Sequence, residues 1–255
     1  TLPLRMQIDR AAKRAQVTLG DTTLDLTPGT LSNWVPLTFT AMPGVKVRGL
    51  TRLLVTEMDE HVSLYVSPIN LDPDAPAMPI SHPPYYATYL AKKLGPFATL
   101  GLAEDTWALN EGVTDDKTFL QQTYDIDRER EDMFFVSLDR LRRGSLVCVF
   151  DATDRIQHMF WRDIDTAHPA GKGRKNAAHG NAIRELYRHN DRMVGRIREQ
   201  LRDGDVLMVI SDHGFSSFRR GVNLNQWLLR EGYLALEPGT DGRSEWLRDV
   251  DWSAT

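Results

Sequence analysis

The chain changes its hydrophobic rhythm once, near residue 75. Before that point apolar residues come in short runs. Residues 17–19, 23–26, 34–40, 45–56 and 62–69 are rich in Val, Thr and Leu, and Gly20-Asp21, Pro28-Gly29 and Pro43-Gly44 fall between them. Runs of this kind, bounded by turn chemistry, predict short strands in an antiparallel unit. Within His61-Val-Ser-Leu-Tyr-Val, the residues Val62, Leu64 and Val66 alternate onto one face. Five prolines (Pro73, Pro76, Pro79, Pro83 and Pro84) then crowd residues 71–84. Proline removes a backbone donor and fixes φ, so a linker or extended crossing segment is expected there. It divides a β-rich insertion or cap, 1–75, from a core, 76–255.

In the core, helical periodicity alternates with solid apolar runs. Helices are expected over 85–94, 115–143, 177–201 and 223–230, with Gly95, Gly144 and Asp203-Gly204 as stops. Between them stand Ser145-Leu-Val-Cys-Val-Phe150 and Val206-Leu-Met-Val-Ile210. Strands covered on both faces read as unbroken apolar runs, so the expected class is α/β, a mostly parallel sheet with helices on both faces.

Composition narrows the function classes. The 255 residues carry 31 basic and 35 acidic side chains, a net charge of −4, and are 41% hydrophobic. Mild acidity gives no field for wrapping phosphate backbones, which argues against bulk nucleic-acid binding. The longest apolar run is far too short to span a membrane. The lone cysteine, Cys148, excludes an internal disulfide, and no apolar signal region opens the chain, so a cytoplasmic location is expected. The opening Thr-Leu-Pro-Leu and the closing Trp252-Ser-Ala-Thr suggest a piece of a longer protein.

Ligands of open α/β sheets bind beyond the carboxyl ends of the strands. Asp151-Ala-Thr-Asp154-Arg-Ile-Gln-His158 follows the first apolar run, and Ser211-Asp212-His213-Gly214-Phe215 follows the second. Asp154 and His158, four apart, share a face of any helix that starts there. Asp212 and His213 can converge only in an irregular turn, which Gly214 permits. Carboxylate oxygen with imidazole nitrogen suits Zn²⁺ or Mn²⁺. In a chain this rich in Asp, about one pair of each spacing arises by chance. The competing reading makes Asp154 a helix N-cap and His158 a helix-face residue. Glu57 with His61, and Glu185 with His189, read as surface pairs. Residues 171–175 form a basic loop flanked by His168 and His179, Cys148 reads as buried and inert, His82 as a turn residue, and Trp161 with Phe160 as helix packing.

Asp154-Arg-Ile-Gln-His158-Met-Phe-Trp, followed in order by Ser211-Asp212-His213-Gly214-Phe215, resembles the type I phosphodiesterase/nucleotide pyrophosphatase branch of the alkaline phosphatase superfamily. A similar run extends from Ser81-His-Pro-Pro through Gly101-Leu-Ala-Glu-Asp-Thr-Trp, and the likeness covers about residues 60 to 235. The resemblance implies an alkaline-phosphatase-like core and hydrolysis of phosphodiester or nucleotide pyrophosphate bonds in a small phosphorylated substrate. It implies two divalent ions, Zn or Mn, with Asp154 and His158 on one and Asp212 and His213 on the other. The family also uses an early Asp, a Thr or Ser nucleophile and a late His. No His follows His213 and no matching early pair is present, so the nucleophile is expected outside this chain and the chain alone is expected to be inactive. A phosphoryl transferase or mutase of the same superfamily, and a non-catalytic binding domain, are the alternatives.

Overall fold

The computed structural model describes residues 1–171 and 179–255. Eight strands come first: β1 (Leu4–Asp9), β2 (Arg14–Leu19), β3 (Thr22–Leu26), β4 (Val35–Met42), β5 (Val45–Thr51), β6 (Leu53–Met58), β7 (Val62–Val66) and β8 (Asn70–Leu71). They form antiparallel sheets ordered β1-β2-β3 and β4-β5-β8, and a β6-β7 hairpin. Alternation does the work inside them. Ala15, Val17 and Leu19 of β2 point inward and meet Leu26, Val35, Leu37, Leu53 and Val55 in one core. The run expected over 45–56 is two strands. It breaks at Arg52, after which the chain leaves β4 and pairs with β7 instead. β1 alternates Leu4, Met6 and Ile8 with polar residues, yet its side chains are mostly exposed; its register with β2 runs from Leu4↔Leu19 to Asp9↔Arg14.

Six α-helices follow among the described residues: α1 (Tyr85–Leu94), α2 (Thr106–Asn110), α3 (Asp116–Arg140), α4 (Ala152–Ile164), α5 (Ala182–Gln200) and α6 (Leu224–Arg230). Side-chain oxygens of Asp105, Asp115 and Asn223 accept the Ala108, Thr118 and Gln226 amides and so start α2, α3 and α6. Phe119 of α3, Ile156 and Phe160 of α4, and Ile183 and Leu186 of α5 make a second core. The Phe119 and Phe160 rings stand 6.2 Å apart. Helix α3 joins the two cores. Its Asp125 takes Arg52 Nη2 at 2.7 Å, and its Glu129 accepts from Trp34 Nε1 at 2.6 Å and from the Ala98 amide at 2.9 Å.

The parallel sheet expected from the two apolar runs is not found. Every strand pairing among the described residues is antiparallel; the named strands all lie within 4–71, and one isolated bridge joins Leu236 to Val250. Residues 145–150 and 206–210 have no ladder partner. Val206 and Ile210 are 82% and 83% exposed, and Val147 and Val149 also face solvent. A strand exists through its hydrogen-bonded neighbours. Apolar composition alone supplies no partner. The class is thus mixed α/β, with small antiparallel sheets and helices.

These burials separate two truncations. Phe160→Ala should lower stability by about 3–5 kcal/mol, whereas Val209→Ala, at an exposed site, should change it by less than about 0.5 kcal/mol. Urea unfolding of both variants checks the contrast; a large loss at Val209 would mean that residues 206–210 are packed in solution.

Candidate functional site

Helix α4 begins after Asp151, whose side chain makes no cap bond, so Asp154 lies in the first turn and is not the N-cap. Ile156 and Phe160 are buried against α3 and α5. That packing turns the Asp154/His158 face outward. His158 Nε2 stands 3.3 Å from Asp154 Oδ1.

The second pair arrives on the loop after residue 210. Ser217 Oγ and Arg219 Nη2 both bond Asp165 just past the end of α4, and Arg219 Nη1 donates to the Ala167 carbonyl. The Phe215 ring stacks on Trp161 and meets the His158 and His213 rings at 4.9 and 5.3 Å. So held, His213 Nε2 lies 3.6 Å from the same Asp154 Oδ1. Asp212 is brought less close. Its side chain is 90% exposed, and its Oδ2 lies 3.7 Å from His213 Nε2.

The tautomer of His213 follows from its other nitrogen. Nδ1 lies 3.0 Å from the Gly214 carbonyl, which can only accept, so Nδ1 carries the hydrogen. In the neutral ring Nε2 then holds a lone pair 3.6 Å from a carboxylate oxygen. Two acceptors facing one another call for a proton or a cation between them.

The donor chemistry fits a divalent ion. Two donors about 2.0–2.1 Å from one tetrahedral ion stand about 3.3–3.4 Å apart, close to the 3.3 and 3.6 Å separations around Asp154 Oδ1. Among the described residues, however, no group of three or more His, Cys, Asp or Glu is placed to hold a metal ion. The donors come in pairs: Asp154 with His158, Asp154 with His213, and Asp212 with His213.

Behind the site lies a layer of charge that the sequence reading missed. Arg155 Nη1 donates to Asp154 Oδ2 at 3.0 Å, and its Nε lies 3.7 Å from Oε2 of the buried Glu104. Burial pushes the Glu104 carboxyl up, with Asp151 adding to the rise and Arg155 and Arg130 opposing it. Arg130 pairs with Asp151. Further along α3, buried Glu131 takes His189 and Arg196. Asp127 beside it has a buried Oδ1 with no hydrogen bond. The only sequence signal for this layer was the adjacency of Arg155 to Asp154.

The other candidates go elsewhere. Glu57 accepts from Ser63 at 3.1 Å, and His61 is exposed. Glu185 pairs with Arg188, not with His189, because His189 reaches Glu131. His168 Nδ1 accepts the Ala170 amide, and the His179 ring packs on Phe160 at 5.6 Å. Ser81 Oγ bonds the Pro83 and Pro84 carbonyls in the turn holding His82. Cys148 is half-buried rather than fully buried, because its run has no sheet to enclose it; partial burial pushes its thiol up. Most of the basic loop, 172–175, lies outside the described residues.

One family model, described as type I phosphodiesterase / nucleotide pyrophosphatase, matches residues 43–253, a longer stretch than the motifs alone suggested. No curated relative and no solved structure matches the chain.

The buried acid behind the site yields a pH prediction. Desolvation is the main cause holding the Asp127 carboxyl above its ordinary range; Glu131 and Asp151 add to it, while His189 and Arg130 oppose it. A native pKa above the unfolded one means the unfolded chain ionises first as pH rises, and the native state loses stability. Asp127→Asn should therefore raise Tm at about pH 8, and the gain should vanish below about pH 3, where the acid is neutral in both states. Thermal unfolding across pH checks this; a gain that grows on acidification would refute it.

Proposed function

The chain belongs to the type I phosphodiesterase/nucleotide pyrophosphatase family, and from that premise we propose that Asp154, His158, Asp212 and His213 hold divalent cations, Zn²⁺ or Mn²⁺, for hydrolysis of phosphodiester or nucleotide pyrophosphate bonds. The observation that carries the reading is the approach of two imidazole nitrogens, His158 Nε2 at 3.3 Å and His213 Nε2 at 3.6 Å, to the one carboxylate oxygen Asp154 Oδ1. We assign the Thr or Ser nucleophile to a segment outside residues 1–255, and we take the β unit over 1–75 as a cap limiting substrate size.

When bound, such cations polarise the phosphoryl group and stabilise the charge that develops on it. The chain's own residues prepare for this. Asp154 supplies negative charge from a helix whose other face is buried, so its position is fixed by packing. Gly214 fixes the His213 tautomer, leaving Nε2 free to donate its lone pair. Phe215 packs edge-on against His158 and tilted against His213, which limits the rotation of both imidazoles. A single-ion variant of the reading has one observation in its favour, the exposure of Asp212; metal stoichiometry separates it from the two-ion form.

The test uses the full-length protein and bis-p-nitrophenyl phosphate. Hydrolysis should require added Mn²⁺ or Zn²⁺ and stop on chelation. Loss of an outer partner of a metal ligand already costs about 10–100-fold, so Asp154→Ala and His213→Ala should each cut kcat/KM at least about 100-fold. Glu57→Ala should leave it unchanged. Full activity in Asp154→Ala would overturn the reading.

A further inference from the structure

The two oxygens of Asp154 do different things. Oδ1 faces both imidazoles, while Oδ2 accepts from Arg155 Nη1 at 3.0 Å. Arg155 is itself held from behind. Its Nε is buried and makes no hydrogen bond, and the Glu104 carboxylate 3.7 Å away is the charge that faces it. The Glu104 side chain is 2% exposed. Its backbone is fixed as well, because the Glu104 carbonyl accepts the Thr106 amide, and the next residue bonds two neighbouring elements. The Asp105 amide donates to Gln122 on α3, and its carboxylate accepts from Tyr65 on β7.

We infer that Glu104 and Arg155 are positioning residues for Asp154: the guanidinium occupies Oδ2 so that only Oδ1 is offered to a cation, and Glu104 offsets the guanidinium's charge. The inference rests on the reading of Asp154 as a ligand. A carboxylate with one oxygen fixed cannot swing to bind a cation through both oxygens or turn away from the imidazoles. A cationic clamp, however, repels the ion it serves, and at such separations this repulsion is large in a partly desolvated site. A carboxylate on the far side of the guanidinium makes the clamp nearly neutral while keeping its donor geometry. Lysine could not replace it, because one ammonium lacks the planar fork that addresses two carboxylates.

The experiment is an Mn²⁺ titration of the full-length protein followed by electron paramagnetic resonance, with circular dichroism as the folding control. Glu104→Gln and Arg155→Gln should each raise the Mn²⁺ dissociation constant by about 10–100-fold. The Glu104→Gln/Arg155→Gln double variant should be no weaker than the worse single, since both act through one clamp. Arg155 is partly exposed, and a neutral Gln is easily accommodated there, so Arg155→Gln decides the matter should Glu104→Gln fail to fold. Asp154→Asn separates the two levels of the argument. If it abolishes Mn²⁺ binding while Glu104→Gln and Arg155→Gln keep the wild-type dissociation constant, the positioning role is overturned and the ligand reading stands. If Asp154→Asn binds as the wild type does, or the wild type takes up no Mn²⁺, the ligand reading falls and this inference with it.

Discussion

The burial of charge along α3 is the constraint on which the rest hangs. Glu129 is half-buried, and desolvation pushes its carboxyl up, yet it is met by Trp34 Nε1 and the Ala98 amide. Asp125 meets Arg52, whose Nε also donates to the Ser32 carbonyl. On the side towards α5, Glu131 meets His189 and Arg196. Each contact exchanges water for a defined partner, so removing one partner leaves an uncompensated charge, at a cost greater than the pair's own contribution. Such pairs are poor glue but good registers. They admit one placement of the β unit and one placement of α5 against the same helix.

That registration reaches the candidate site in two qualities. Asp154, His158 and Arg155 ride on α4, which Ile156 and Phe160 seat in the helical core. Asp212 and His213 ride on a loop held by a few contacts to Asp165 and by the Phe215 ring. Half of the site is therefore as rigid as the core, and the other half is as firm as three polar contacts and one aromatic cluster. A site built this way can adjust the distance between its halves at little cost.

Much of this was legible in the sequence because it depended on local rules. The antiparallel strands, α1, α3, α5 and α6 follow from periodicity, caps and turn residues. The Asp154/His158 face follows from helical spacing. What was not legible depended on partners. Apolar runs over 145–150 and 206–210 look like strands by composition, yet pairing decides a strand and none is formed here. The division of 45–56 at Arg52 is likewise a matter of pairing, whereas β1 carries a local signal, the alternation of Leu4, Met6 and Ile8, that was open to reading. Glu104 reaches Arg155 from 51 positions away, and no spacing rule connects a residue before α2 to one on α4.

The exposed run at 206–210 gives Asp212 a second meaning. Short, uncharged, β-prone segments open to solvent are the ones through which chains stack on one another. Natural sequences restrain them with flanking charges, and here Asp203 and Asp205 stand before the run and Asp212 after it. The carboxylate proposed for a cation is thus also a guard against self-association. An occupied site would neutralise part of that guard, and the colloidal behaviour of the protein would then follow its metal content.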